Sequence, residues 1–197
     1  MQLSNEIICG FLQESNLIEG YDFPISDYDG YLQGTNRTVN QHVKNSVDAF
    51  IYAQAMAMNK LAMSDYRIRK VHQLQMKDLL ESRGYYRGIN VRVGNSIPPP
   101  LEFVPMLMDG WVNLFNKTIG SPEDLHYRFE MIHPFEDGNG RVGRILWAWD
   151  LLRRGEPLSI FLDQYKLVKD NSFEEKRSRY YRELEKFSKY NHKTYKF

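Results

Sequence analysis

Apolar residues recur three or four positions apart along most of the 197-residue chain, a spacing that predicts helices. Residues 3–18 carry a stripe of Leu3, Ile7, Phe11, Ser15 and Ile18. Over 19–35 the stripe is broken by Gly20, Pro24, Gly30 and Gly34 among several Asp and Tyr residues, which predicts a loop. Residues 39–63 hold the strongest helical pattern, through Val43, Val47, Phe50, Ile51, Ala55, Met58 and Leu61. Ser64-Asp65 reads as a cap for a helix running to about Ser82 with Ile68, Val71, Leu74 and Leu79.

The pattern changes at Gly84. Residues Tyr86 to Val93 alternate and include β-branched side chains, which predicts a strand or a short hairpin over about 85–97. Pro98-Pro99-Pro100 ends it, because proline has no N–H for a ladder. Helical spacing returns over 101–117. Ser121-Pro122 then opens a helix as N-cap and first helical residue, with Glu123 and Asp124 favourable to its dipole. Pro134 disfavours helical geometry in the residue before it, so that helix stops near His133. The next runs from about Asn139 to Arg154 on Val142, Ile145, Leu146, Trp149 and Leu152, and stops at Gly155. A last helix is expected at 171–190, within a C-terminal segment 166–197 that packs on the domain and frays after Asn191. The fold class is therefore mainly α, in one domain over 1–197.

Net charge is +1, which argues against broad electrostatic binding to nucleic acid or a membrane surface. Cys9 is the only cysteine, so no intrachain disulfide can form. No apolar run spans a bilayer, and the N-terminus lacks the basic start and apolar core of a signal peptide. These features predict a cytoplasmic protein.

The densest chemistry lies in His133-Pro134-Phe135-Glu136-Asp137-Gly138-Asn139-Gly140-Arg141-Val142-Gly143-Arg144. Gly138, Asn139 and Gly140 fall where a loop becomes a helix, so backbone N–H groups and the helix dipole can converge on an anion such as a polyphosphate. Arg141 and Arg144 are three apart on one helix face and suit phosphate oxygens. Asp137 is the hard oxygen ligand that Mg2+ prefers. His133 is the group able to take a proton near neutral pH. Phe135 reads as an apolar plug anchoring the loop. A competing reading takes His126, Glu130 and His133, at i, i+4 and i+7, as a zinc set. It leaves the glycines and both arginines unexplained.

The stretch resembles the Fic family signature, His-x-Phe-x-Asp/Glu-Gly-Asn-Gly/Lys-Arg-x-x-Arg. The resemblance implies a helical bundle with a β-hairpin flap, here 85–97, beside an active-site loop and helix start at 133–144. Most members transfer AMP from ATP to a protein hydroxyl. By matched position, His133 would deprotonate the target Ser, Thr or Tyr, and Asp137 would hold Mg2+ on the α and β phosphates. Gly138, Asn139 and Gly140 would cradle phosphates, Arg141 would stabilise departing pyrophosphate, and Arg144 would bind the γ-phosphate. Ile89, Asn90, Val91, Arg92 and Val93 would form the flap against which an extended target segment pairs. One branch with Asn-Ala-Asn-Lys-Arg in the cradle phosphorylates its target; Asp-Gly-Asn-Gly-Arg here favours nucleotide transfer. Other members transfer UMP, GMP or phosphocholine.

Ser15-Asn16-Leu17-Ile18-Glu19-Gly20 is similar to the family's inhibitory motif, Ser/Thr-x-x-x-Glu-Gly/Asn. It implies that residues 1–20 form an inhibitory helix whose Glu19 pairs with Arg144 and occupies the γ-phosphate site. In some members that glutamate positions a water that removes AMP, so de-AMPylation using Glu19 is the rival activity. A non-catalytic ATP-sensing module is the rival of another class. The expected partners are ATP, an unidentified target protein and, for self-modification or a homo-oligomer, another copy of the chain. Thirteen tyrosines offer self-modification sites.

Overall fold

The computed structural model describes residues 3–92, 97–158 and 182. Among these residues the chain forms seven α-helices and no strand. Val93 and, apart from residue 182, the expected helix at 171–190 lie outside the described residues.

Helix α1 (Asn5–Ile18) begins at Ser4, whose hydroxyl accepts the Ile7 N–H at 3.4 Å. It buries Ile8, Cys9, Phe11, Leu12, Ser15, Asn16 and Ile18 and leaves Ile7 exposed, so its core face is turned by a residue from the expected stripe. The expected loop over 19–35 contains α2 (Ile25–Gln33). Pro24 and Gly34, read as breakers, are the cap residues of this helix, Gly34 in the left-handed region at φ 78°. Tyr28 is its only buried residue, so hydrophobic spacing could not reveal it.

Helix α3 (Gln41–Met58) ends at Asn59, and Ile51, Met58 and Leu61 are exposed. The residues it buries instead include Val43, Val47, Ala49, Phe50, Ala53 and Ala57. The alanines let neighbouring helices approach closely. Helix α4 (Asp65–Gln75) is capped by Ser64, whose hydroxyl accepts the Arg67 N–H at 3.4 Å, and stops at Met76 rather than Ser82. A 3-10 turn at Leu101–Phe103 leads into α5 (Val104–Asn116). Helix α6 (Pro122–Ile132) has the expected Ser121 cap and ends on His133 in the left-handed region at φ 49°. Helix α7 (Asn139–Arg154) starts at Gly138 and stops at Gly155 as expected.

Helices α3 and α7 pack together at the centre and divide the apolar interior in two. Val142, Ile145, Leu146 and Trp149 of α7 face one core with Val71 of α4, Trp111 of α5 and Phe129 of α6. Trp147, Ala148 and Leu151 face the other, with Phe11, Leu12 and Ile18 of α1 and Tyr28 of α2. The start of α7 thus meets α4 and α6 on one side and the end of α1 on the other.

The expected strand over 86–93 is not formed among the described residues 86–92. A side chain replaces the ladder. The Arg87 backbone N–H donates to the Pro134 carbonyl at 2.9 Å, and its guanidinium donates to the carbonyls of His133, Ile89 and Pro99. The Asn90 side-chain oxygen accepts the Leu101 N–H at 3.0 Å. These bonds tie the segment to the loop and to the proline run without a strand partner.

Candidate active site

The loop from His133 to Gly138 is held from inside. Phe135 is fully buried and stacks on His72, ring centroids 3.7 Å apart and planes 3° from parallel. The Asn139 side chain closes the loop on itself, accepting the Phe135 N–H and donating to the Phe135 carbonyl, both at 2.9 Å. Its side-chain groups are therefore engaged in loop geometry. What Asn139 can offer an anion is its backbone N–H. Helix α7 has no side-chain cap, so the N–H groups of its first turn remain as donors. Gly138 sits at φ 80°, and a Cβ there would lie 2.6 Å from the Met76 sulfur. Both the turn and the packing require glycine.

Asp137 points outward, its side chain 65% exposed. One carboxylate oxygen accepts the Gly138 N–H at 2.6 Å and the other lies 3.7 Å from Arg141 Nη2. The His133 carbonyl is anchored by Arg87 Nε at 2.9 Å, and its ring Nδ1 is buried with no hydrogen-bond partner. Burial lowers the His133 pKa, the Glu130 carbonyl works against that, and Arg87 adds to it. His133 is thus a neutral imidazole near pH 7, the form that takes a proton.

Arg144 is 1% exposed and held by α1 and the residue after it. Nε donates to the Ser15 hydroxyl at 2.9 Å, and Nη2 donates to the Ser15 carbonyl at 2.8 Å and to Glu19 Oε1 at 2.6 Å. A Cβ on Gly140 would collide with Glu19 Oε1, so the carboxylate lies directly over the cradle glycine. Gly20 follows at φ 89° and turns the chain away. Sequence positions 15, 19, 140 and 144 therefore meet at one point.

The zinc reading is not supported. Among the described residues no three His, Cys, Asp or Glu side chains are grouped to hold a metal. His126 and Glu130 face Gly143, where a Cβ would collide with Glu130 Oε1 and sit 3.0 Å from the His126 ring. Burial pushes the Glu130 carboxyl up to about 8 and the His126 imidazole down to about 3, so both are neutral groups of a close α6–α7 contact.

Several residues of the site were not anticipated. Tyr21 and His42 stack on each other beside Arg141, with ring centroids 4.0 Å apart. His72 accepts the Gly84 N–H at 2.8 Å and contacts the Asp137 carbonyl at 3.0 Å. Asn16 donates to the Tyr28 hydroxyl at 2.8 Å and the Ser46 hydroxyl at 3.0 Å. Of these, Asn16 and Tyr21 had a local signal, one inside the Ser15–Gly20 motif and the other directly after it.

Helical architecture, the glycine-rich turn into α7 and the paired arginines are features of one recognised kind of domain. The Fic/DOC family model matches residues 62–151, and these residues form a Fic domain of that family. The protein adenylyltransferase Fic of Culex quinquefasciatus is 33% identical over 118 residues, 50% of this chain and 24% of that protein. Its namesake from Drosophila melanogaster is 32% identical over 127 residues, 60% of this chain and 26% of that protein. The chain thus spans about a quarter of the length of these relatives. A Fic-domain-containing signaling protein from Bacteroides thetaiotaomicron superposes with a TM-score of 0.75 at 24% identity, over 92% of this chain and 72% of that one. A Fic family protein from Desulfovibrio desulfuricans superposes at 0.66 with 26% identity, over 91% and 56%. Among the described residues no helix is long and apolar enough to cross a membrane.

Proposed function

We propose that this chain is a protein adenylyltransferase that its own N-terminal helix holds inactive. The observation that carries this reading is the grip of Ser15 and Glu19 on Arg144, one turn into α7 from the phosphate cradle. Three polar atoms and a carboxylate charge satisfy the guanidinium where a phosphate would otherwise do so. Glu19 must leave Arg144 before a nucleotide can seat its γ-phosphate there.

Released, the site would work as follows. The first-turn N–H groups of α7, with Gly138 and Gly140, receive phosphate oxygens, and Arg144 fixes the far end of the chain of phosphates. His133 takes the proton of a target hydroxyl as that oxygen bonds to the α-phosphorus and the bond to pyrophosphate breaks. Arg141 offsets charge growing on the leaving group. Asp137 suits magnesium: this cation commonly uses one or two carboxylates together with substrate phosphates, and an exposed carboxylate beside the cradle is that arrangement. When bound, the ion supplies charge neutralisation on the phosphates. The target would lie along Ile89, Asn90, Val91 and Arg92, the exposed or half-exposed residues that Arg87 ties to the loop, and continue past Val93.

The test is incubation with Mg2+ and either α- or γ-labelled ATP. Glu19→Gly is expected to raise protein labelling from the α position about tenfold or more over wild type, the rate change that about 1.4 kcal/mol produces. Adding His133→Ala should return it to background. Labelling from the γ position would sink nucleotidyl transfer. If Glu19→Gly instead abolishes removal of AMP from a modified protein and adds no label, de-AMPylation is the activity.

A further inference from the structure

Arg141 is enclosed by two residues outside the signature, His42 and Tyr21, and by Asp137 within it. Its Nη1 lies 3.0 Å from His42 Nδ1, its guanidinium carbon 5.4 Å from the Tyr21 ring centroid, and its Nη2 3.7 Å from Asp137 Oδ2. The side chain is 4% exposed, and Nε is buried with no hydrogen-bond partner. A buried N–H of this kind is a donor without its acceptor. His42 lies in an aromatic stack: Tyr21 is at 4.0 Å and 25° between planes, and Phe23 at 6.2 Å and 23°.

Guanidinium groups only donate. The contact with Nδ1 is therefore a hydrogen bond only when that nitrogen carries no proton, which leaves the proton of neutral His42 on Nε2. Burial and the neighbouring Arg141 charge favour this neutral form, against the pull of Asp137.

The geometry points to His42 as the residue that positions Arg141: its bare Nδ1 takes one Nη1 hydrogen, fixes the guanidinium plane, and leaves Nε and Nη2 for phosphate oxygens. Arginine side chains lose rotamer freedom on binding, and a pre-set plane removes part of that cost. The inference rests on the proposed nucleotide site and adds to it a residue from α3, a helix that contributes nothing to the signature.

Binding rather than turnover tests it. MgATP affinity is measured by calorimetry in the Glu19→Gly background, with thermal melts to check folding. His42→Ala is expected to weaken binding about tenfold, or 1.4 kcal/mol. His42→Asn, whose side-chain oxygen can stand where Nδ1 stood, should recover most of the affinity. His42→Phe, which keeps the ring for Tyr21 and offers no acceptor, should not. A purely structural ring predicts the reverse order, and that order would overturn the inference, as would unchanged affinity in His42→Ala. A folded Glu19→Gly protein that binds no ATP would remove the nucleotide reading itself, and this inference with it.

Discussion

His72 shows how far burial constrains one side chain. It accepts the Gly84 N–H at Nδ1, contacts the Asp137 carbonyl through Nε2 and stacks on Phe135, a combination open only to neutral imidazole. Burial holds its pKa down at about 4, with the Asp137 carbonyl opposing. An unfolded chain binds the proton near pH 6.5. Between pH 6.5 and 4 the unfolded state therefore holds more protons, and stability is lost as pH falls through that window. Glu130, pushed up to about 8, acts with the opposite sign: from about pH 4.5 to 8 the folded state holds the extra proton, so stability is lost as pH rises. Urea unfolding of wild type and His72→Asn isolates the histidine. The gap between them is expected to shrink by up to about 3 kcal/mol as pH falls from 6.5 towards 4. A gap constant with pH would mean that His72 is not neutral in the fold. At this scale the loop's geometry was legible, because the buried Phe135 plug and the Gly138 turn follow from neighbours within one turn. His42, His72 and Arg87 were not, because each acts on a segment tens of residues away, and nothing in their own neighbourhoods marks them.

At the scale of elements, the proposed inhibitory contact depends on how the end of α1 is moored. The Asn16 carbonyl accepts the N–H groups of Glu19 and Tyr21, both at 3.0 Å, while its buried side chain bonds Tyr28 of α2 and Ser46 of α3. Gln75 of α4 also donates to Ser46, at 3.1 Å. Asn16 thus joins three helices directly, reaches a fourth through Ser46, and sets the chain path that delivers Glu19. Asn16→Ala leaves buried hydroxyls without their donor, at a cost of about 1–3 kcal/mol. It is expected to lower the melting temperature and to raise α-labelling while Glu19 is intact. Unchanged labelling would mean that Glu19 finds Arg144 without this mooring. Helix ends were read well where capping chemistry is local, as at Ser121-Pro122 and Arg154-Gly155. Helix α2 was missed because it buries too little apolar surface to show a period. The strand over 86–93 was inferred from alternation, which over the described residues 86–92 reflects an irregular segment fastened by Arg87.

Across the whole molecule, α1 has two duties that a single change can separate. In the proposed reading it inhibits through Ser15 and Glu19, and it completes the second core through Phe11, Leu12 and Ile18. Phe11 packs on Phe50 at 5.8 Å and on Trp147 at 6.1 Å between ring centroids. Burying each such side chain contributes about 1.5–3 kcal/mol, so the three together rival the 5–15 kcal/mol that holds a typical domain folded. Deleting residues 1–20 should therefore not mimic Glu19→Gly. The shortened protein would expose the Trp147 side of α7, and it is expected to melt over a broad, low transition or to aggregate, with little labelling. Glu19→Gly should keep the wild-type melt and label strongly. Circular dichroism melts and α-labelling on both proteins decide the matter. If the shortened protein melts like wild type and labels like Glu19→Gly, α1 is a removable strap and the second core stands without it. The opposite result means that release in this fold must loosen the Glu19 end of α1 while its apolar face stays in place.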